Sequence, residues 1–120
     1  SMFTVDLPNF NDQYEHFLSW GRIIRDQNNN IVKIQEYKDS NDEQKLISEV
    51  NTGTYMFNAA WLWDKLAKIG DNNSQHEFYL TDIVELAIAD GQQIHSLKIS
   101  PEEGYGINSP SDLEFARKLI

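Results

Sequence analysis

Strand-like and helix-like patterns alternate along this chain, and the alternation restricts the fold to classes that mix both elements. The stretch GRIIRDQNNNIVKIQEYKD has two apolar-rich segments around residues 27–30, a polar run typical of the turn in a β-hairpin. Further along, apolar residues recur at helical spacing: Ala59, Leu62, Trp63 and Leu66. The sequence therefore predicts an α/β fold.

Capping residues mark the ends of two predicted helices. Asn58 fits the N-cap of the first helix, and Gly70 fits the C′ position just beyond its end. In the second helix, TDIVELAIADG, Asp82 and Glu85 make a capping-box-like pair, and Gly91 stands where the helix should stop. Two short amphipathic helices are therefore expected.

The two ends of the chain carry different signals. IHSLKIS is typical of a short strand, and in NSPSDLEFARKLI a last helix is predicted with Ser109 as N-cap, Pro110 at N1 and Asp112 at N3. Residues 1–20 contain Pro8 and several Asn and Asp, which favour an extended or irregular lead-in. A chain of 120 residues suits a single domain.

Charge and composition exclude several classes of function. The chain carries 19 acidic against 10 basic side chains, a net charge of −9, so we expect neither a nucleic-acid nor a membrane partner. It contains no cysteine, which excludes disulfides and thiolate chemistry and fits a reducing cytoplasm. It also lacks an apolar run long enough to span a bilayer.

Polar residues interrupt two of the strand-like patterns. If residues 31–38 form a strand, the period of two places three side chains on one face: Val32, Ile34 and Glu36. In EVNTGTYMFN the same period groups Asn51, Gly53, Tyr55 and Phe57. Strand ends with Glu and Asn beside a Gly can form the floor of a polar ligand site. Alternatively, Glu36 is a solvated strand end and Asn51 a turn residue.

Four blocks of sequence together carry a family resemblance. GRIIRD, IVKIQEYKDSNDEQKLISEVNTGTYMFN, NNSQHEFYLTDIVELA and GYGIN follow one another in the order and at nearly the spacing of the family. They resemble the second half of the nucleotidyltransferase domain of N-acetylglucosamine-1-phosphate uridyltransferase. The resemblance implies the C-terminal, sugar-binding portion of a nucleotide-diphospho-sugar transferase domain, with a Rossmann-like mixed sheet. Residues 1–120 would then be one partial domain, and residues 21–120 its sugar-binding half.

The resemblance assigns sugar-binding roles to five residues. Gly21 would bring its backbone close to the acetamido group of the sugar, and Glu36 would accept hydrogen bonds from the sugar. Asn51 would bind sugar hydroxyls through an amide that both donates and accepts. Tyr79 and Thr81 would line the same pocket, although Thr81 could equally be a helix-capping residue. These residues would orient the sugar, and no catalytic residue is expected in this chain.

The same resemblance implies a magnesium ion as cofactor and two substrates. Asn108, in GIN, would supply an oxygen to Mg²⁺; the alternative is an ordinary residue before a helix cap. The substrates would be a sugar 1-phosphate and UTP, with the UTP site mostly outside this chain. Because the sugar phosphate is already the attacking anion, the protein needs no nucleophile of its own. Lys38 either faces the sugar phosphate or is solvated, and the three histidines have no ligand-like spacing: His16, His76 and His95.

Departures from the family pattern leave two functions open. The Gly-rich phosphate loop of the first half is not in this sequence, His76 stands where glycine is usual, and Tyr37 replaces a common histidine. In the first interpretation the chain is a nucleotidyltransferase segment that works in UDP-N-acetylglucosamine and cell-envelope precursor synthesis and is inactive alone. In the second it is a sugar-phosphate-binding or protein-interaction module, with FNDQYEHFLSW as a partner surface. Self-association is expected, because a sheet cut in its interior exposes strand edges.

Overall fold

The computed structural model describes residues 1–119; Ile120, the last residue of the last predicted helix, lies outside them. Five strands form one mixed sheet in the order β3-β2-β4-β1-β5. Their bounds are β1 Met2–Asp6, β2 Arg22–Arg25, β3 Ile31–Gln35, β4 Glu49–Tyr55 and β5 Ser96–Ile99. Strands β1 and β5 run parallel, whereas the β1/β4, β2/β3 and β2/β4 pairs are antiparallel. The mixed α/β class is confirmed, and so is the hairpin, whose turn spans residues 26–30.

The helices are short. Their bounds are α1 Asp42–Lys45, α2 Ala59–Leu66, α3 Ile83–Ala89, α4 Pro101–Gly104 and α5 Pro110–Leu119, and 3₁₀ turns cover Asp12–Phe17, Tyr37–Asp39 and Leu80–Asp82. No helix within residues 1–119 has the length and apolar character needed to cross a membrane.

The predicted caps hold at three positions and fail at two. Asn58 caps α2 by accepting a hydrogen bond from the Trp61 amide, and the Ser109 hydroxyl caps α5 by accepting one from the Asp112 backbone amide. Gly91 follows the last turn of α3 with a φ of +77°. Gly70 is not the residue that ends α2, because that helix stops at Leu66 with Ala67 as C-cap. Asp82 does stand at the N-cap of α3, but its side chain makes no capping bond there.

The lead-in contributes a strand to the interior of the sheet. Strand β1 lies between β4 and β5, and its Thr4 and Val5 are fully buried. The sequence had indicated extended structure here, but it gave no sign of an interior position. Among the aromatic residues that follow, Phe17 is buried and Trp20 is partly buried against it, whereas the role of this segment as a partner surface stays a prediction.

Two apolar clusters occupy the core. The first joins buried residues of the sheet to α3: Met2, Ile23, Ile31, Ile34, Ile83 and Val84. The second joins strands β1 and β4 to the lead-in: Val5, Leu7, Phe17 and Val50. The candidate site lies at the start of β2, the end of β3 and the first half of β4, beside the turn that precedes α3.

Candidate functional site

Glu36 and Thr81 meet although 45 residues separate them. Strand β3 ends at Gln35, so Glu36 is the residue that follows the strand and precedes a 3₁₀ turn. Its Oε1 accepts a hydrogen bond of 2.8 Å from the Thr81 hydroxyl, which the turn before α3 presents. Thr81 is 8% exposed and Glu36 is half-buried, so the carboxylate is neither free in solvent nor enclosed. Thr81 therefore faces this carboxylate.

Gly21 lies directly beside that carboxylate. Its carbonyl accepts a 2.9 Å hydrogen bond from the backbone amide of Asn51, which fixes the start of β2 against β4. A Cβ atom added at Gly21 would lie 3.0 Å from Ile34 Cγ2 and 3.6 Å from Glu36 Oε1. A side chain here would therefore crowd Ile34 on β3 and lie in contact with the Glu36 carboxylate, and glycine avoids both at this buried position.

The Asn51 side chain is held by two partners on its own strand. Its Nδ2 donates to the Tyr55 hydroxyl at 2.8 Å, and its Oδ1 accepts from the Gly53 amide at 3.0 Å. Gly53 has a φ of +74°, a conformation that glycine adopts without strain. Asn51 therefore stands on β4 with its side-chain amide oriented by Tyr55 and by the Gly53 amide.

Tyr55 is a site residue that sequence reasoning did not single out. Its burial raises the pKa of the phenol to about 12, and the nearby Glu36 charge adds to the effect although the Asn51 hydrogen bond opposes it. Tyr55 therefore donates and accepts as a neutral phenol. The period of two in β4, which groups Tyr55 with Asn51, was the signal that could have identified it.

We call Gly21, Glu36, Asn51 and Thr81 the polar floor. A cleft of about 200 Å³ borders it, and its walls include Glu36, Asp39 and Tyr79. Tyr79 is half-buried, and desolvation together with the Asp39 charge raises the pKa of its phenol. Four of the five predicted sugar-binding residues thus lie together, and Tyr79 lines the adjoining cleft.

The loop of residues 71–79 forms one side of this cleft. Asp39 accepts a 2.8 Å hydrogen bond from the Ser74 amide, and this contact with Ser74 lowers the pKa of the Asp39 carboxyl. Lys38 is exposed and donates to the Gln75 side chain at 2.9 Å, so it ties the same loop down. His76 has a φ of +53°, so the usual glycine of the family is explained by a left-handed backbone at this position.

Arg22 supports the floor from inside. Its side chain is fully buried, and its guanidinium donates to the carbonyls of Leu18, Trp20 and Lys45. The rings of Phe10 and Tyr37 lie 4.3 and 5.1 Å from its Cζ. Because Arg22 follows Gly21 directly, this network fixes the backbone on which Gly21 sits.

Asn108 stands apart from the polar floor. It is exposed in a segment of residues 105–109, the Asn108 loop, and its backbone amide donates to Asp112 Oδ2 at 3.0 Å. A groove of about 450 Å³ runs past it, with Trp20 and Tyr37 among its walls. Tyr37 follows Glu36 in sequence, so one wall of this groove is adjacent in the chain to the floor.

The oxygen atoms near Asn108 are of the type that magnesium prefers, and magnesium usually combines a few protein oxygens with water and phosphate. Its side-chain amide oxygen is exposed, and the Asp112 carboxylate lies at the same end of α5. Among the described residues, no group of three or more His, Asp or Glu side chains is placed to hold a metal ion, and the three histidines lie apart. A magnesium ion held here would take an oxygen from Asn108 and the rest of its ligands from phosphates, water or further protein groups.

Comparison with curated proteins identifies relatives of this segment. The chain is 41% identical over 101 residues to the bifunctional protein GlmU of Clostridium novyi and 40% identical over 102 residues to that of Geobacillus sp.. It is 44% identical over 102 residues to the bifunctional protein GlmU of Pelotomaculum thermopropionicum. Each match covers 84% of this chain and 22% of the relative, so the chain spans about a fifth of the length of these proteins. No protein-family model matches. The chain is thus a homologue of one segment of the GlmU proteins, which confirms its resemblance to N-acetylglucosamine-1-phosphate uridyltransferase.

Proposed function

We propose that this chain is the sugar-phosphate-binding portion of a uridyltransferase that forms UDP-N-acetylglucosamine from UTP and N-acetylglucosamine 1-phosphate. The observation that carries the proposal is the convergence of the polar floor. Hydrogen bonds join residue 21 to 51 and residue 36 to 81, and Gly21 lies beside the Glu36 carboxylate. The relationship to the GlmU proteins supports the same reading.

Each floor residue has a role that its geometry allows. Gly21 has no side chain to obstruct the acetamido group, and Glu36 uses Oε1 for Thr81, so Oε2 is the oxygen available to a sugar hydroxyl. Asn51 is oriented by Tyr55 and Gly53 but keeps a second amide hydrogen and lone pair for the sugar. The floor therefore recognises an uncharged, hydroxyl-rich ring, and Tyr79 closes its side.

The chemistry requires orientation more than proton transfer. The sugar phosphate is itself the attacking anion, so the residues of this chain hold it in line with the α-phosphate of UTP. A magnesium ion bound with the help of Asn108 would neutralise charge on the phosphates. Most of the UTP site would lie outside this chain, and we place the whole protein in the cytoplasm.

Binding of N-acetylglucosamine 1-phosphate to the 120-residue chain tests the proposal directly. In ¹⁵N NMR titrations we expect the amides of Gly21 and Asn51 to shift. Glu36→Gln and Asn51→Ala should weaken binding roughly 2- to 13-fold for each hydrogen bond lost. Glu43→Gln, a change of the same type at an exposed position of α1, is the matched control and should bind normally. Equal affinities in all four proteins would overturn the proposed site.

Turnover tests the roles proposed for the individual residues. We expect the isolated chain to show no measurable pyrophosphorylase activity with UTP and N-acetylglucosamine 1-phosphate, since it lacks the phosphate loop of the family. In a full-length uridyltransferase that carries this segment, Asn51→Ala should raise the KM for sugar phosphate, whereas Asn108→Ala should lower kcat and raise the Mg²⁺ requirement. Identical profiles for the two variants would refute this division of roles.

Self-association is part of the proposal. Strand β5 lies at one edge of the sheet, where Leu97 is 61% exposed beside Phe3, its register partner on β1. A second copy of the chain is the expected occupant of this edge. We expect the sedimentation coefficient to rise with protein concentration and Leu97→Glu to abolish the rise; a concentration-independent monomer would contradict it.

A further inference from the structure

We infer that Trp20 is a positioning residue for Asn108, because its indole fixes the Asn108 loop at a set place relative to the polar floor. This inference rests on the proposed function, since the role of Asn108 at the magnesium ion belongs to that proposal. It concerns a residue whose side chain reaches from the floor segment to the loop.

The first step is the contact between the indole and Gly106. A Cβ atom added at Gly106 would lie 3.3 Å from Trp20 Cζ2 and 3.6 Å from Trp20 Cη2, so the six-membered ring lies against the backbone of this glycine. The same Cβ would lie 3.8 Å from Asn108 Nδ2. The indole and the Asn108 amide therefore both lie close to one glycine, so the position of Gly106 depends on the indole.

The second step is that Trp20 is itself fixed from behind. Its ring packs edge-on against Phe17 with centroids 4.6 Å apart, and Phe17 is 1% exposed. The Trp20 amide donates to the Phe17 carbonyl at 3.0 Å, and the Trp20 carbonyl accepts from the buried Arg22 guanidinium. Gly21 comes next in the chain and pairs with Asn51, so Trp20 and the polar floor share one continuous, hydrogen-bonded support.

The third step is that the loop needs such a support. Residues 105–108 have no regular secondary structure, and Ile107 and Asn108 are exposed. Asp112 holds the far end of the loop through the Asn108 amide, and Tyr105 packs on the His16 ring at 4.2 Å at the near end. Trp20 contacts the middle of the loop at Gly106, and the next residue in the chain, Gly21, belongs to the polar floor.

The test measures order in the loop in ¹⁵N-labelled 120-residue chain. In Trp20→Ala we expect the order parameters of Gly106, Ile107 and Asn108 to fall from about 0.85 to below about 0.6, as for a flexible segment. Trp20→Phe, which keeps an aromatic ring, should restore most of the order. Trp63→Ala is the control, since Trp63 is 72% exposed on α2 and should leave the loop unchanged.

Gly106→Ala keeps the inference testable even if Trp20→Ala does not fold. The added methyl group meets the indole, so the Trp20 indole N–H and the Asn108 side-chain amide signals should shift together. Unchanged loop order in folded Trp20→Ala, or a Gly106→Ala chain in which neither signal moves, would overturn the inference.

The sugar-phosphate titration separates this inference from the proposed function. If the wild-type chain gave no shifts at Gly21 and Asn51 with N-acetylglucosamine 1-phosphate, the proposed site would be wrong, while the loop measurement would still decide the role of Trp20. Normal sugar-phosphate shifts together with unchanged loop order in Trp20→Ala would overturn the positioning role alone.

Discussion

The polar floor and the Asn108 loop are supported in different ways. The floor combines residues at or beside three strands with a residue of the turn before α3. A backbone hydrogen bond of the sheet joins Gly21 to Asn51, and a side-chain hydrogen bond joins Glu36 to Thr81. The Asn108 loop has no strand partner, and Asn108 is exposed at its tip, with one backbone hydrogen bond to Asp112.

This difference predicts how each part responds to change. A floor that belongs to the sheet moves only when the sheet does, so disturbing its support should cost global stability. A loop attached by an indole and a helix cap can lose its order locally while the rest of the chain stays folded. The following predictions either break this distinction or make it quantitative, beginning with the largest expected effect.

Arg22→Met should be the most damaging substitution, because it removes the support under Gly21. The carbonyls of Leu18 and Trp20 would lose their donor in a buried position, as would the Lys45 carbonyl. Each unsatisfied buried group costs about 1–3 kcal/mol, so we expect a loss of roughly 3 kcal/mol or more in the free energy of unfolding, measured in urea.

The matched control for this prediction is Arg117→Met on α5, where the side chain is exposed and we expect a change within about 0.5 kcal/mol. Arg22→Lys keeps the charge but cannot place donors on three carbonyls at once, so it should lose most of the same stability. If Arg22→Met and Arg117→Met unfolded at the same urea concentration, the floor would not depend on the arginine.

Gly104→Ala should have the next largest effect, and it acts where the Asn108 loop leaves α4. A Cβ at this buried glycine would lie 2.5 Å from Val5 Cγ2 and 3.3 Å from Thr52 Cγ2, so the methyl group overpacks the contact with β1. We expect a loss of about 1–3 kcal/mol in urea unfolding. Gly70→Ala, with no atom within 4 Å of the added methyl group, should be neutral or slightly stabilising. Equal outcomes would show that the base of the loop tolerates displacement.

Local features of the sequence predicted much of the fold. The β2/β3 hairpin, the Asn58 and Ser109 caps and the stop at Gly91 depend on residues within a few positions of one another, and all of them are present. The shared face of Asn51 and Tyr55 follows from the period of two in the same way. The proposed sugar-binding roles, by contrast, came from the family resemblance and not from these patterns.

Contacts between distant segments could not be predicted from local patterns. The interior position of β1 depends on pairing with strands that begin 47 and 94 residues after Met2. The bond from Thr81 to Glu36 likewise joins two segments, so a capping role for Thr81 looked equally good in the sequence. Arg22 gave no signal at all, because a buried arginine held by carbonyls leaves no charged partner to find in the sequence.

Tyr55→Phe should lower the free energy of unfolding by about 1 kcal/mol near neutral pH, because it removes the hydroxyl that accepts a hydrogen bond from Asn51. The same substitution has a pH signature. Burial raises the pKa of Tyr55 from 10.0 to about 12, so between these values the unfolded chain ionises this phenol and the folded chain does not. The stability that comes from the neutral phenol is fully present below about pH 10 and is lost as pH rises toward about 12.

Urea unfolding of wild-type and Tyr55→Phe chains at increasing alkaline pH measures this effect. The wild type should lose stability faster, so the difference between the two proteins should shrink as pH rises above about 10. A difference that stayed constant over the whole alkaline range would mean that the Tyr55 phenol ionises equally in the folded and the unfolded chain. Tyr55 would then be more exposed to solvent than its packing indicates.

The smallest expected effect on stability is a gain, and it comes from His76→Gly in the loop that borders the floor. A non-glycine residue with a φ of +53° destabilises the folded chain by about 1–2 kcal/mol, and glycine removes this cost. Glycine also destabilises the folded chain by about 0.5–1 kcal/mol, because it has more conformational freedom in the unfolded chain. We therefore expect a net gain of about 0.5 kcal/mol in urea unfolding. His95→Gly is the matched control: His95 is exposed and is not among the residues with positive φ, so glycine there should lower stability by about 0.5–1 kcal/mol. Opposite signs for the two substitutions would show that the loop beside the floor stores strain at His76, whereas a loss at both positions would show that the left-handed backbone at His76 carries no such strain.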